Sequence, residues 1–169
     1  MYWAYIAQKE TIILIGNPGL GKTHLATGLA VAACKQGKRV RFFSAGNLVN
    51  DLLSAQKDLR LSKFMAQIGK LDLVILDELG FIPFTKEGGQ LLFQLCSELN
   101  ERVSIIVTTN LRFAEWNQVF GDEKMTGALL DRLTHRANIL EFVGESYRFR
   151  QRLLQEEEQA NEATTTQAG

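Results

Sequence analysis

The residues best suited to chemistry form one stretch, Gly16-Asn17-Pro18-Gly19-Leu20-Gly21-Lys22-Thr23. It fits the spacing G-x-x-x-x-G-K-[ST] at every fixed position. Glycines at 16, 19 and 21 let the backbone bend so that successive N–H groups point inward at phosphate oxygens. A helix opening near Lys22 adds the positive end of its dipole. Lys22 is long enough to reach β- and γ-phosphates, and the Thr23 hydroxyl is a hard oxygen ligand suited to Mg²⁺.

Two further clusters suit the same chemistry. Asp77-Glu78 follows the apolar run Leu73-Val74-Ile75-Leu76. Beside a phosphate loop, Asp77 would hold the Mg²⁺ shell, directly or through water, and Glu78 would polarise an attacking water. The competing reading is a solvated acidic turn. Asn110 closes the run Thr108-Thr109-Asn110 after a second apolar segment. Its amide would orient water against the γ-phosphate; taken alone, a turn-forming asparagine is the better reading. All three clusters fall at the carboxyl ends of apolar strands, the edge where open parallel sheets bind ligands.

The elements that must hold these residues follow from periodicity. Strands are expected over residues 11–15, 39–43, 71–76, 103–107 and 138–143. The run 73–76, apolar throughout, suits a parallel strand covered on both faces. Helices are expected over 22–36, 59–68, 86–102 and 126–134, with another after Ser44 as cap and a last one from Ser146 to about residue 154. Leu25, Leu29 and Ala32 recur at helical spacing in the first, and Leu91, Leu92, Leu95 and Leu99 share a face in the fourth. Strands alternating with helices predict a three-layer αβα fold with a mainly parallel five-stranded sheet.

Several stretches leave alternatives open. Tyr2, Trp3, Tyr5 and Ile6 precede the first strand and suit base stacking, sheet capping or simple exposure equally. Phe81-Ile82-Pro83-Phe84 is an apolar loop that packs on a neighbouring subunit or within the chain. Lys35, Lys38, Arg39 and Arg41 read as a solvated face, with contact to DNA phosphates as the functional alternative. An arginine of the Asp131-Arg132 region either pairs with Asp131 or enters an adjacent subunit's nucleotide site.

Composition sets the frame. The 169 residues suit one domain with a real core. Lys plus Arg and Asp plus Glu both total 19, but four glutamates follow Leu154, leaving a mild basic excess before it. Residues 1–154 are expected to form the domain and 155–169 a disordered polar tail. Cys34 and Cys96 have no C-x-x-C partner, so both are expected as buried reduced thiols in a cytoplasmic protein. No apolar run approaches the length of a membrane span, so no membrane partner is expected.

Four stretches carry a resemblance: 16–26 (Gly-Asn-Pro-Gly-Leu-Gly-Lys-Thr-His-Leu-Ala), 76–84 (Leu-Asp-Glu-Leu-Gly-Phe-Ile-Pro-Phe), 107–111 (Val-Thr-Thr-Asn-Leu) and 129–136 (Leu-Leu-Asp-Arg-Leu-Thr-His-Arg). From about Ile6 to Arg150 the chain resembles the IstB family, AAA+ ATPases that assist bacterial insertion-sequence transposition and are related to the DnaC and DnaI helicase loaders. The second and fourth stretches are more specific than the phosphate loop, which many families share. The resemblance implies ATP and Mg²⁺ as ligands, and a homo-oligomer on double-stranded DNA that recruits or stimulates a transposase. It makes Lys22 and Thr23 the Walker A pair, with His24 beside them, Asp77 and Glu78 the Walker B pair, and Asn110 the first sensor. Arg132 matches the arginine-finger position, with Arg136 its neighbour, and Arg148 matches a second sensor. Family members carry a further N-terminal segment that helps engage DNA and transposase. This chain begins almost at the first strand, so a truncated copy or fragment is expected, with autonomous DNA binding more in doubt than ATP binding.

The expected function is therefore ATP binding and slow hydrolysis, stimulated by assembly on DNA. Rivals are a helicase loader, a small-molecule kinase sharing the loop, and an ATP-binding lock without turnover.

Overall fold

The computed structural model describes residues 4–155. Five strands form one sheet in the order β2-β3-β4-β1-β5: β1 Thr11–Gly16, β2 Val40–Ser44, β3 Leu73–Leu79, β4 Ser104–Thr109 and β5 Ala137–Phe142. Every pairing is parallel. The interior strands β3 and β4 are buried along nearly their whole length, as their apolar runs require. The edge strand β5 is exposed at most positions.

Two helical layers complete the αβα arrangement. On one face lie α1 (Ala4–Ala7) and α2 (Lys22–Lys35), packed over Ile12, Leu14, Leu73, Ile75 and Ile106. On the other lie α3 (Ala45–Lys57), α4 (Leu61–Ile68), α5 (Lys86–Leu99), α6 (Asn117–Phe120) and α7 (Glu123–Thr134). That second face holds the larger core, including Leu48, Leu52, Leu92, Leu95, Trp116 and Phe120. A final helix, α8, covers 147–155.

Local chemistry explains the starts of these helices. Thr85 caps α5 by accepting from Gly88 N at 3.1 Å, and Asp122 caps α7 by accepting from Met125 N at 2.8 Å. Ser44 occupies the cap position of α3, but its side chain makes no capping bond. The inward face of α2 is Ala26, Ala30 and Ala33, not the stripe of Leu25, Leu29 and Ala32. Alanine on that face lets the helix axis approach the sheet closely, and Leu25 is left exposed at the surface.

The cysteines differ. Cys96 is buried in α5, and burial pushes its thiol up to about 12. Cys34 is exposed on α2, contrary to the expectation of two buried thiols. The apolar loop after β3 also divides: Phe81 and Ile82 are exposed, whereas Phe84 meets Phe120 edge-on at 5.7 Å. Tyr2, Trp3 and the tail from residue 156 onward lie outside the described residues; Gln155 is still helical. Among the described residues, no helix is long and apolar enough to cross a membrane.

Candidate active site

The carboxyl edge of the sheet gathers the sequence-predicted residues. Gly16 ends β1, and Asn17, Pro18, Gly19, Leu20 and Gly21 make the turn into α2. Gly21 caps α2 in the left-handed conformation, with φ +89°. Gly19 lies there too, at φ +82°, and a Cβ on it would run into Ser146 Oγ. The start of α8 is thus seated on the loop: Tyr147 N donates to Gly19 O at 3.1 Å. Sequence pattern alone carries no signal for this contact, because Ser146 and Gly19 are far apart in the chain.

Lys22 is buried, with 7% of its surface exposed. Its ammonium donates to Gly16 O at 2.6 Å and to Asn17 O at 2.7 Å. Burial lowers its pKa below the ordinary lysine value, while Asp77 and then Glu78 act in the opposite direction. Thr23 and His24 follow on the exposed first turn of α2.

Asp77 is the hub of the acidic part. Its Oδ1 accepts from Thr23 Oγ1 at 2.9 Å and from Thr108 Oγ1 at 2.6 Å. Asp77 is 7% exposed, whereas Glu78 presents its side chain to solvent. The acid pair lies within β3 rather than just past it, because the strand runs on to Leu79. Pairing passes from Leu76 opposite Val107 to Leu79 opposite Thr109, so β3 carries one extra residue there. Such a bulge bends the strand, and Glu78 takes φ +58°, unusual for a residue with a side chain. Asn110 directly follows β4 and is half-buried. With Gly16, Asn17, Arg112 and Glu141 it lines a cleft of about 230 Å³.

These donors fit Mg²⁺, which takes oxygen ligands and commonly needs only one or two protein groups beside phosphates and waters. Thr23 gives its hydroxyl proton to Asp77, so the lone pairs of the same oxygen stay available to a metal. Thr23 and Asp77 would hold the ion, which when bound supplies positive charge against the phosphate oxygens.

The arginines lie elsewhere. Arg132 is on the last turn of α7; its guanidinium donates to Ala128 O at 2.9 Å and lies 5.1 Å from the Phe93 ring centre. Neither contact is a pairing with Asp131, one of the two alternatives the sequence left open. Arg136 O accepts from Thr11 N at 2.9 Å, which puts it at the amino edge of the sheet. The length of β1 separates that edge from Gly16 by roughly 16 Å. Arg148 is exposed on α8, one residue past the α8 contact with Gly19. The basic group near β2 is partly engaged as well, Arg39 pairing with Asp72 at 3.2 Å.

Residues 2–155 match the family described as IstB-like ATP binding protein. The chain belongs to that family. This IstB-like chain is 40% identical over 149 residues to an insertion sequence IS21 putative ATP-binding protein of Pseudomonas aeruginosa, covering 88% of the chain and 56% of that relative. It is 38% identical over 159 residues to the IS5376 putative ATP-binding protein of Geobacillus stearothermophilus, covering 94% and 63%. The IstB-like chain therefore spans somewhat over half the length of these relatives. Among solved structures it is similar to the DnaC helicase loader, with TM-score 0.68 and 21% identity over 83% of this chain and 85% of that one. It is also similar to the replication initiator DnaA bound to AMPPCP and single-stranded DNA, with TM-score 0.67 and 20% identity over 83% and 42%. These likenesses show the fold alone, a parallel sheet between helical layers.

Proposed function

We propose that this domain, residues 1–154, binds ATP with Mg²⁺ and hydrolyses it to ADP and phosphate in an assembly on double-stranded DNA that assists a transposase. The observation that carries the reading is the hydrogen-bonded set Thr23–Asp77–Thr108 beside the phosphate loop and Lys22. In the proposed mechanism the loop amides and Lys22 hold the phosphates. Glu78 takes a proton from water as its oxygen attacks the γ-phosphorus, and the bond to the β–γ bridging oxygen breaks. Asn110 orients that water, and Arg148, beside the loop, reads the γ-phosphate.

Arg132 engages Ala128 O and the Phe93 ring in its own chain; in this reading it serves the site of a second copy, where it neutralises transition-state charge. That requirement makes the isolated chain slow and the assembled one fast. Identity to insertion-sequence proteins supports the transposition setting over helicase loading, which has only the fold in its favour. The exposed basic face around Lys35, Lys38 and Arg41 suits DNA phosphates.

The test is ATP hydrolysis against protein concentration, with and without duplex DNA, beside Glu78→Gln. A rate per subunit that climbs with concentration and DNA, and is lost in the variant, supports the reading. ATP binding with a flat, negligible rate under all conditions rejects the hydrolytic part. Binding to a hexameric replicative helicase but not to DNA-bound transposase would shift the partner to the loader class.

A further inference from the structure

We propose that Thr108 is a positioning residue that ties the metal-holding carboxylate of Asp77 and the backbone of the water-activating Glu78 into one unit. The proposal rests on the roles assigned above to those two acids. In the sequence, Thr108 only opens the run Thr108-Thr109-Asn110 after an apolar segment; in the fold it is 1% exposed. The register gives it another task. Because β3 carries one extra residue between Leu76 and Leu79, Asp77 and Glu78 together face Thr108 on β4. A bulge takes one amide out of the ladder. Here the Glu78 N–H finds its acceptor in a side chain, donating to Thr108 Oγ1 at 2.9 Å.

A threonine hydroxyl has one proton to give. Thr108 gives it to Asp77 Oδ1 at 2.6 Å. Accepting from Glu78 and donating to Asp77, the hydroxyl has its orientation fixed from both sides. Thr23 donates to the same Oδ1, so two hydroxyls from different elements clamp one carboxylate oxygen. The Glu78 backbone, at φ +58°, sets the direction in which its exposed side chain leaves the strand. Thr108 therefore couples the rotamer of the metal-side acid to the aim of the base. Valine has nearly the same shape but cannot make either bond; serine keeps both.

The experiment compares wild type, Thr108→Val and Thr108→Ser by three readouts. The first is hydrogen exchange of the Glu78 amide in the ATP-free chain. The second is the Mg²⁺ concentration that half-saturates ATP binding. The third is kcat and KM for ATP in the DNA-bound assembly. Thr108→Val is expected to speed Glu78 amide exchange about tenfold. It should raise the Mg²⁺ requirement, and lower kcat on the order of 100-fold with little change in KM. Thr108→Ser should restore all three.

Wild-type exchange and Mg²⁺ dependence in Thr108→Val would overturn the proposal. So would a serine variant as impaired as the valine one, since that would assign the effect to the lost methyl group. If Thr108→Val does not fold, Thr108→Ala against Thr108→Ser makes the same comparison. A wild-type chain that binds MgATP and never hydrolyses it would remove the catalytic reading alone, leaving exchange and Mg²⁺ dependence to decide on Thr108.

Discussion

At the carboxyl edge of the sheet, Lys22, Thr23, Asp77 and Thr108 are held by hydrogen bonds of 2.6 to 2.9 Å, and all but Thr23 are buried. Between α5 and α7, Arg132 leans on its own helix and on Phe93, while Arg136, at the amino edge, and His135 are exposed. The first edge is built before any ligand arrives, as groups that must hold a phosphate and a metal require. The second offers cations away from that site. Under the proposed function, the acids of one copy are completed by Arg132 of another. Such a shared site requires a head-to-tail contact, in which the Arg132 face of one copy meets the carboxyl edge of the next.

The largest effect is expected from Arg132→Ala. The expected outcome is a loss of about 10³-fold in the DNA-stimulated hydrolysis rate, with ATP affinity of the isolated chain unchanged. A parallel loss of ATP affinity in the isolated chain would bring Arg132 to its own site instead. Glu78→Gln should lower turnover by on the order of 10²-fold or more. ATP binding, measured by equilibrium titration, should persist because the loop amides and Lys22, which hold the phosphates, are kept.

Smaller effects sharpen the picture of each edge. Gly19→Ala forces a side chain into the left-handed conformation and against Ser146. Urea unfolding should show a loss of about 1–2 kcal/mol, and ATP should bind less tightly. At the amino edge, the Arg39 side chain beside Asp72 holds its carboxyl below the usual carboxylate range, chiefly by hydrogen bonding. A depressed folded value means that this stability is present above the unfolded pKa and fades as pH falls through the folded one. Arg39 is largely exposed, so Asp72→Asn should cost less than about 1 kcal/mol at neutral pH. That difference should shrink in acid. The least perturbing probe is alkylation near pH 8, where Cys34 should react and Cys96, whose thiol is pushed up to about 12, should not until the chain is unfolded.

Much of this was legible in the residues. Apolar runs ending in Gly16, Asp77-Glu78 and Asn110 located three strands and one edge, because a strand covered on both faces has few alternatives to a continuous apolar run. The order of strands and helices gave the layer arrangement for the same reason. What stayed hidden depends on contacts across the chain. A bulge of one residue leaves no mark in local periodicity, so Asp77-Glu78 read as lying past the strand, and Thr108 was given no role of its own. The inward alanines of α2 were masked by the neighbouring leucine stripe, since periodicity reports spacing and not how close the helix comes to the sheet. The seat of Ser146 on Gly19, and of Arg132 on Phe93, follow from topology that no window of sequence contains.

The most direct test mixes two defective chains. Arg132→Ala keeps its acids and Glu78→Gln keeps its arginine, and each alone should hydrolyse ATP poorly on duplex DNA. If the complete site forms between copies, the mixture should regain a measurable fraction of the wild-type rate. The gain should track the proportion of the two chains. A mixture no faster than the sum of its separate parts, with both chains bound to the same DNA, would contradict a site shared between copies.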